Sequence, residues 1–152
     1  MKLAQALNER ADLNRRIYQL GDRLQLNAKV QEGETPAEDP QALLTELDEL
    51  LRRQEQLIAQ INLTNASVTS QGQTLTELLA RRDCLSQRVR MMREFLDEAS
   101  ATAQRGMRTE IRIVSTVDVR QLRKETDDAS RQLRELDMRI QELNWTTPLR
   151  ED

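Results

Sequence analysis

The sequence predicts an all-α protein of two long antiparallel helical hairpins, in the manner of a four-helix bundle or coiled coil. Charged residues make up 32% of the chain and aromatic residues only 2%, which is typical of long helices. Apolar residues recur at alternating spacings of three and four along four stretches, and most of the Gly and Pro residues lie between them. A length of 152 residues suits one ordinary domain, so we expect a single helical domain spanning residues 1–152.

The first helix is expected from about Leu3 to about Val30. Its core-facing positions follow a coiled-coil spacing and are Leu3, Ala6, Arg10, Leu13, Ile17, Leu20 and Leu24. Gly33 and Pro36 then favour a loop, because neither continues a helix readily. Asp39-Pro40 predicts the start of the next helix, with Asp39 as N-cap and proline at the first helical position.

The second helix, from about Pro40 to about Asn65, carries two lines of apolar residues. The first line is Leu43, Leu47, Leu50, Leu57 and Ile61, and the second line is Leu44, Leu51 and Ile58. One line alone makes a narrow coiled-coil contact, whereas both together make a wide face that needs more than one partner helix. The first helix can cover the first line. The second line is left for a later helix or for another chain, and it is our candidate oligomer interface.

A third and a fourth helix complete the expected fold. Thr74 and Glu77 form a capping-box pattern, which predicts a helix from about Leu75 to about Ala103. The fourth helix is expected over about 117–143. The expected seam of the third helix is Leu75, Leu78, Arg82, Leu85, Val89, Met92, Leu96, Ala99 and Ala103, and that of the fourth is Leu122, Thr126, Ala129, Leu133, Leu136, Ile140 and Leu143. These narrow seams can cover each other, so the expected hairpins span about 3–65 and 74–143.

Three unusual side chains have structural explanations. Phe95 is expected to fill a gap beside the seam of the third helix, and Trp145 to pack over one end of the bundle. Cys84 is expected near a packing face of the third helix. It is the only cysteine and the chain has no histidine, so neither a disulfide within the chain nor a Cys–His catalytic pair is available.

One short β element is expected near residues 109–114. Apolar and polar residues alternate there, and β-branched residues are frequent. A lone strand is not stable in water, so this segment needs a partner. The candidates are residues 67–69 and the same segment of another subunit.

Four core-facing positions carry polar side chains, and these are Arg10, Gln54, Arg82 and Thr126. A buried polar group must find a hydrogen-bond partner, and a buried charge needs one even more. Such residues often fix helix register or oligomeric state at some loss of stability. We therefore expect these four residues to select register rather than to take part in catalysis.

Charge is unevenly distributed along the chain. The formal net charge is −3, but residues 81–124 carry 11 basic and 6 acidic side chains. Ion pairing between antiparallel helices explains such a pattern, and an anion-binding surface is the alternative. The candidates for that surface are Arg81, Arg88, Arg105, Arg108 and Arg112. The acidic total and the lack of interleaved aromatic residues argue against nucleic acid as the partner.

The sequence lacks the usual signs of an enzyme or a membrane protein. It has no phosphate-binding loop, no glycine-rich nucleotide motif and no metal-ligand spacing, so we predict no catalytic activity, no cofactor and no metal. Charged residues interrupt the N-terminus too early for a signal peptide, and no apolar run approaches the roughly 20 residues that cross a bilayer. We expect a cytoplasmic protein in a reducing compartment.

Several stretches together carry a family resemblance. They are residues 1–4, 9–13, 27–34, 36–40, 114–119 and 140–147. Across the whole chain the sequence resembles the septicolysin-like family of small bacterial proteins, which implies a mostly helical fold without assigned chemistry. The label suggests a toxin, but no segment here has the length and apolarity of a pore-forming element.

We therefore predict a structural or interaction protein, a helical-hairpin homo-oligomer. It self-associates through coiled-coil-like helices and offers a surface to another protein whose identity the sequence does not give. The alternative is a nucleic-acid or anion-binding accessory protein that uses the arginine-rich region 81–112.

Overall fold

A computed structural model describes residues 1–101 and 111–151. The described residues form four helices and one two-stranded sheet, which confirms the all-α class with a short β element. The chain divides into two compact units. The first is Met1–Ser70 with Leu143–Asp152, and the second is Gln71–Glu142.

The first unit begins with the helix α1, Leu3–Leu26. This helix ends four residues before the expected Val30, and the reason is the side chain of Asn27. Its Nδ2 donates to the carbonyl of Arg23 at 2.8 Å, and its Oδ1 accepts from the backbone N–H of Glu38 at 2.9 Å. Asn27 thus satisfies one carbonyl at the helix end and holds the following loop against it.

The helix α2 follows as Pro40–Ser67. Its start is as expected, because the side chain of Asp39 accepts a hydrogen bond from the backbone N–H of Gln41 at 3.1 Å. The two helices run antiparallel, since Glu9 near the start of α1 pairs with Arg53 at the middle of α2, whereas Arg23 near the end of α1 lies 4.0 Å from Glu46 near the start of α2. Their contact buries apolar side chains of both helices, which are Leu13, Leu20, Leu43, Leu50, Leu57 and Ile61.

The two ends of the described chain meet in the first unit. The backbone N–H of Leu3 donates to the carbonyl of Thr147 at 2.9 Å, and that of Leu149 donates to the carbonyl of Met1 at 2.8 Å. Lys2 adds a bond from Nζ to the carbonyl of Thr146 at 2.9 Å. Leu3 is fully buried and Leu149 is 8% exposed, so apolar packing supports this backbone pairing.

The β element lies at a tight turn rather than near residues 109–114. The strands β1, Thr69–Ser70, and β2, Gln73–Thr74, pair across Gln71 and Gly72. Both turn residues have positive φ, 52° and 79°, which is the geometry of a type I′ hairpin turn. Residues 111–114 adopt no strand, and the rest of the expected segment, residues 109 and 110, lies outside the described residues.

The second unit contains the helix α3, Leu75–Ser100, and most of α4, Val119–Thr146. Thr74 and Glu77 form the expected capping box, in which Glu77 N–H donates to Thr74 Oγ1 at 3.1 Å. The expected end of the third helix, Ala103, lies outside the described residues. The fourth helix begins two residues after the expected 117 and continues three residues beyond 143.

Within this unit α3 and α4 run antiparallel. Arg93 Nη2 donates to Ser130 Oγ at 2.9 Å, and Arg82 Nε lies 3.9 Å from Asp137 Oδ1. The buried apolar residues of the pair include Leu78, Val89, Ala129, Leu136 and Ile140. All five belong to the seams that the 3-4 spacing predicts.

The expectations for two aromatic residues were wrong. Phe95 is 48% exposed and Trp145 is 59% exposed, so neither fills a gap in the core. Both residues lie on helix faces outside the apolar seams, and the 3-4 spacing predicts burial only for residues of the seams. Of the helices formed by residues 1–101 and 111–151, none is both long and apolar enough to cross a membrane.

Candidate interaction surface

The second apolar line of α2 lies on the surface of the first unit. Leu44 is 43% exposed, Leu51 is 42% exposed and Ile58 is 39% exposed. One position earlier in each case, the residues of the first line are buried against α1. The helix therefore turns one apolar line inward and presents the other to solvent, as its two periodic patterns require.

The C-terminal part of this line, Leu51 and Ile58, borders a shallow depression. Its lining consists of Leu51, Gln54, Glu55, Ile58, Ala59 and Asn62. Asp48 and Glu55 alternate with the apolar residues, because each follows one of them by four positions and precedes the next by three. Neither acid forms an ion pair with any residue of the described ranges 1–101 and 111–151.

The four polar seam residues differ in how their side chains are satisfied. Gln54 of α2 donates to Asn14 Oδ1 of α1, and Arg82 of α3 lies near Asp137 of α4, so both bridge two helices. Thr126 is 3% exposed, and its hydroxyl donates to the carbonyl of Leu122 in its own helix at 2.7 Å. Arg10 is half-buried. The interhelical links that bear on register thus come from Gln54 and Arg82.

The arginines proposed for an anion surface are only partly described. Arg105 and Arg108 lie outside the described residues, while Arg81, Arg88 and Arg112 are exposed. Acidic side chains of α4 stand close to the first two of these exposed arginines. Arg88 shares a depression with Glu125 and Asp128, and Arg81 shares another with Glu135. The local field around these arginines is therefore mixed rather than uniformly positive.

One exposed apolar line on α3 was missed by the sequence analysis. Cys84, Met91 and Phe95 lie on one face of this helix, and Met91 is 64% exposed. Cys84 is exposed too, so the expectation that it lies near a packing face was wrong. The signal was present as a 4-3-4 spacing through 84, 88, 91 and 95. Arg88 interrupts the line, and the more regular buried seam of the same helix hid it.

The strongest charge contacts of the first unit are structural. Arg23 Nε donates to Glu38 Oε2 at 3.0 Å, and this hydrogen bond holds the pKa of the Glu38 carboxyl below its usual range. The same contact raises the pKa of Arg23. The pair joins the end of α1 to the loop before α2, so it positions the loop and not a reacting group.

Comparison with known proteins places the chain in a family. A family described as a family of unknown function, DUF6847, matches residues 10–149. The chain belongs to this family. The function of the DUF6847 family is unknown, and no curated protein matches the chain.

A solved structure agrees with the fold. The chain is similar to a functionally unknown conserved protein from Corynebacterium diphtheriae, known from a crystal structure, with 42% sequence identity over 99% of each chain and a TM-score of 0.90. None of these comparisons tests the resemblance to septicolysin-like proteins, which stays a prediction.

Proposed function

We propose that this DUF6847 member is a non-enzymatic structural or interaction protein that self-associates through the second apolar line of α2. The observation that carries the proposal is the exposure of Leu44, Leu51 and Ile58 in one straight line. Isolated apolar residues on a surface are normal, but an aligned set is typical of a helix contact. The line extends for roughly 21 Å, the length of a short coiled-coil interface.

The architecture of the first unit supports this proposal. A hairpin of two helices can bury one apolar line of each helix, and a wide face needs a further helix to cover it. Among the described residues of this unit, no other helix packs over the line, because all three of its members are more than a third exposed. Burying them in an assembly would remove apolar area from water, which favours association.

Anion or nucleic-acid binding through the arginines of α3 has weaker support. Glu125, Asp128 and Glu135 lie beside Arg81 and Arg88 and would oppose a phosphate backbone. A filter-binding assay at about 50 mM salt tests this alternative, because backbone contacts are strong at low salt. Retention of RNA or DNA there would favour the alternative over the interaction protein.

The lone Cys84 fits a reducing compartment, so we expect the protein to act in the cytoplasm. The septicolysin-like resemblance is compatible with this role. A lytic activity is not part of the proposal, because the amphipathic helices expose charged faces of the kind that helix packing needs.

Leu51→Glu is the deciding substitution, since Leu51 is the middle residue of the line. The matched control is Leu63→Glu, on the same helix and 49% exposed but on another face. Sedimentation velocity should show a self-associated wild-type protein, an unchanged control and a Leu51→Glu variant of monomer mass. A wild-type chain that stays monomeric at micromolar concentration, or a Leu51→Glu variant that associates normally, would overturn the proposal.

A further inference from the structure

The exposed line on α3 shares the seven-residue spacing of the exposed line on α2 over Cys84 and Met91, whereas Phe95 follows Met91 by four positions, where α2 carries an acid. On α2, Leu44, Leu51 and Ile58 recur every seven residues, with Asp48 and Glu55 four positions after the first two. On α3, Cys84 and Met91 are seven residues apart, and Arg88 follows Cys84 by four positions. Arg81 lies seven residues before Arg88. Each helix therefore carries two like charges, seven residues apart, interleaved with an apolar line.

The signs of these charges are opposite on the two helices. Asp48 and Glu55 are acidic, whereas Arg81 and Arg88 are basic, and the spacing within each pair is the same. The two pairs form no ion pair closer than 4 Å within residues 1–101 and 111–151, although Glu125, Asp128 and Glu135 of α4 border the depressions beside Arg88 and Arg81. When two such helices pack with their apolar lines in contact, one register allows both ion pairs to form at the same time.

We propose that the α2 line of one copy packs against the α3 line of a second copy. This inference rests on the proposed self-association and names the surface that receives α2. In a two-fold dimer the contact occurs twice, because each copy supplies one α2 line and one α3 line. Each contact then pairs Asp48 and Glu55 of one copy with Arg81 and Arg88 of the other, and Phe95 extends the apolar part.

Contact between two α2 lines is the competing arrangement, and its charges do not match. It would bring Asp48 and Glu55 of one copy close to the same two acids of the other. Like charges on facing helix flanks disfavour association. Likewise, contact between two α3 lines would bring Arg81 and Arg88 near their own copies. Only the mixed contact places opposite charges together.

A charge-reversal pair tests the mixed contact. One variant carries Asp48→Arg with Glu55→Arg, and the other carries Arg81→Glu with Arg88→Glu. Each variant alone should have a dimer dissociation constant raised at least about tenfold, because the ion pairs become like-charge pairs. An equimolar mixture should recover the wild-type affinity, since both contacts of the mixed dimer are complementary again.

Arg90→Glu, a charge reversal on another face of α3, is the control and should leave the dissociation constant unchanged. Circular dichroism on every variant checks that the helices are retained. If the Arg81→Glu, Arg88→Glu variant dimerises like wild type while Leu51→Glu is monomeric, the α3 contact is overturned and the proposed function stands. If wild type is monomeric throughout, both are overturned.

Cys84 provides a readout that needs no substitution on α3. Its thiol is exposed on the single chain and lies within the proposed contact. Alkylation by N-ethylmaleimide should slow as the wild-type concentration rises through the dimer range, and it should not slow for Leu51→Glu. Alkylation that is independent of concentration in a sample shown to be dimeric would overturn the α3 contact.

Discussion

Arg53 of α2 donates two hydrogen bonds to Glu9 of α1, from Nε to Oε1 at 2.6 Å and from Nη2 to Oε2 at 2.9 Å. The paired planar groups join two helices whose residues lie 44 positions apart in sequence. Parallel bonds of this kind fix orientation as well as distance. They therefore help to set the register in which the helices of the first hairpin pass each other.

Replacing Arg53 with Met tests this contact. Met keeps most of the aliphatic stem and removes the guanidinium, and we expect a loss of about 0.5–1 kcal/mol of unfolding free energy. The expected loss is small because both side chains are about a third exposed and water screens the pair. Urea denaturation measures it. Arg52→Met is the control, since Arg52 is exposed, and equal losses in both variants would contradict the prediction.

The contact of Glu38 with Arg23 should make the stability of the fold depend on pH. The hydrogen bond from Arg23 lowers the pKa of its carboxyl, and partial burial opposes this shift. A carboxyl with a lowered folded-state pKa contributes stability that is complete above its unfolded pKa and is lost as pH falls through its folded pKa. Wild type should therefore have a higher melting temperature than Glu38→Gln from about pH 5 to 8. The difference should shrink as pH falls below about 4, and it should vanish once the Glu38 carboxyl is protonated in the folded state.

Glu34→Gln is the matched control, because Glu34 is exposed in the same loop. Its melting temperature should track that of wild type across the same pH range. A wild-type advantage over Glu38→Gln that persisted at low pH would show that shape or solvation, rather than ionisation, explains the effect.

Local sequence signals predicted most of the helical framework. The apolar 3-4 spacing gave the four helices, and cap residues placed two of the starts, at Asp39 and at Thr74. Both caps act within a few residues of chain, so their effect can be read without knowing the tertiary fold. The buried seam residues could be predicted too, because the helical period is also a local property of the sequence.

Features that depend on distant residues escaped the sequence analysis. Asn27 ends α1 through a bond to Glu38, eleven residues away, and Lys2 forms a β-bridge with Pro148 at the other end of the chain. Neither contact leaves a periodic pattern. The hairpin at Gln71-Gly72 had a local signal, a glycine between short polar and β-branched residues, but the alternation near 109–114 was the stronger strand pattern.

Only one of the two exposed apolar lines, the one on α2, could be predicted from the sequence. The second line of α2 is regular in sequence, and its residues are exposed as a wide helix face implies. The line on α3 contains a cysteine, a methionine and a phenylalanine, with Arg88 between them. Because these side chains differ in chemistry, their helical spacing is not obvious in the sequence. The line becomes apparent only from the exposed fractions of Met91 and Phe95 in the structure.

Thr64 links the closing segment of the chain to α2, which gives a third prediction. Its buried hydroxyl donates to the carbonyl of Gln60 at 2.7 Å and accepts from the backbone N–H of Arg150 at 3.0 Å. Thr64→Val keeps the shape and leaves that N–H without its acceptor, so we expect a loss of about 1–2 kcal/mol. Amide hydrogen exchange at Arg150 should also become faster.

Thr45→Val is the control for this prediction. The hydroxyl of Thr45 donates to the carbonyl of Gln41 at 3.0 Å, four residues earlier in the same helix, and the residue is exposed. The two substitutions thus remove the same kind of helix bond, and only Thr64 also holds the C-terminal segment. Exchange at Arg150 that is equally fast in wild type and Thr64→Val would contradict the role of Thr64.

Arg82 gives the last prediction, which concerns register in the second unit. Its guanidinium bonds Asp83 Oδ1 at 3.0 Å and lies 3.9 Å from Asp137 of α4, while its side chain is 33% exposed. Leucine at this position would make the α3 seam continuously apolar, and such seams tolerate several registers and oligomeric states. Light scattering of Arg82→Leu should therefore show a broader mass distribution than wild type, with Arg90→Leu as the exposed control. A single unchanged mass with only a higher melting temperature would mean that Arg82 is dispensable for register.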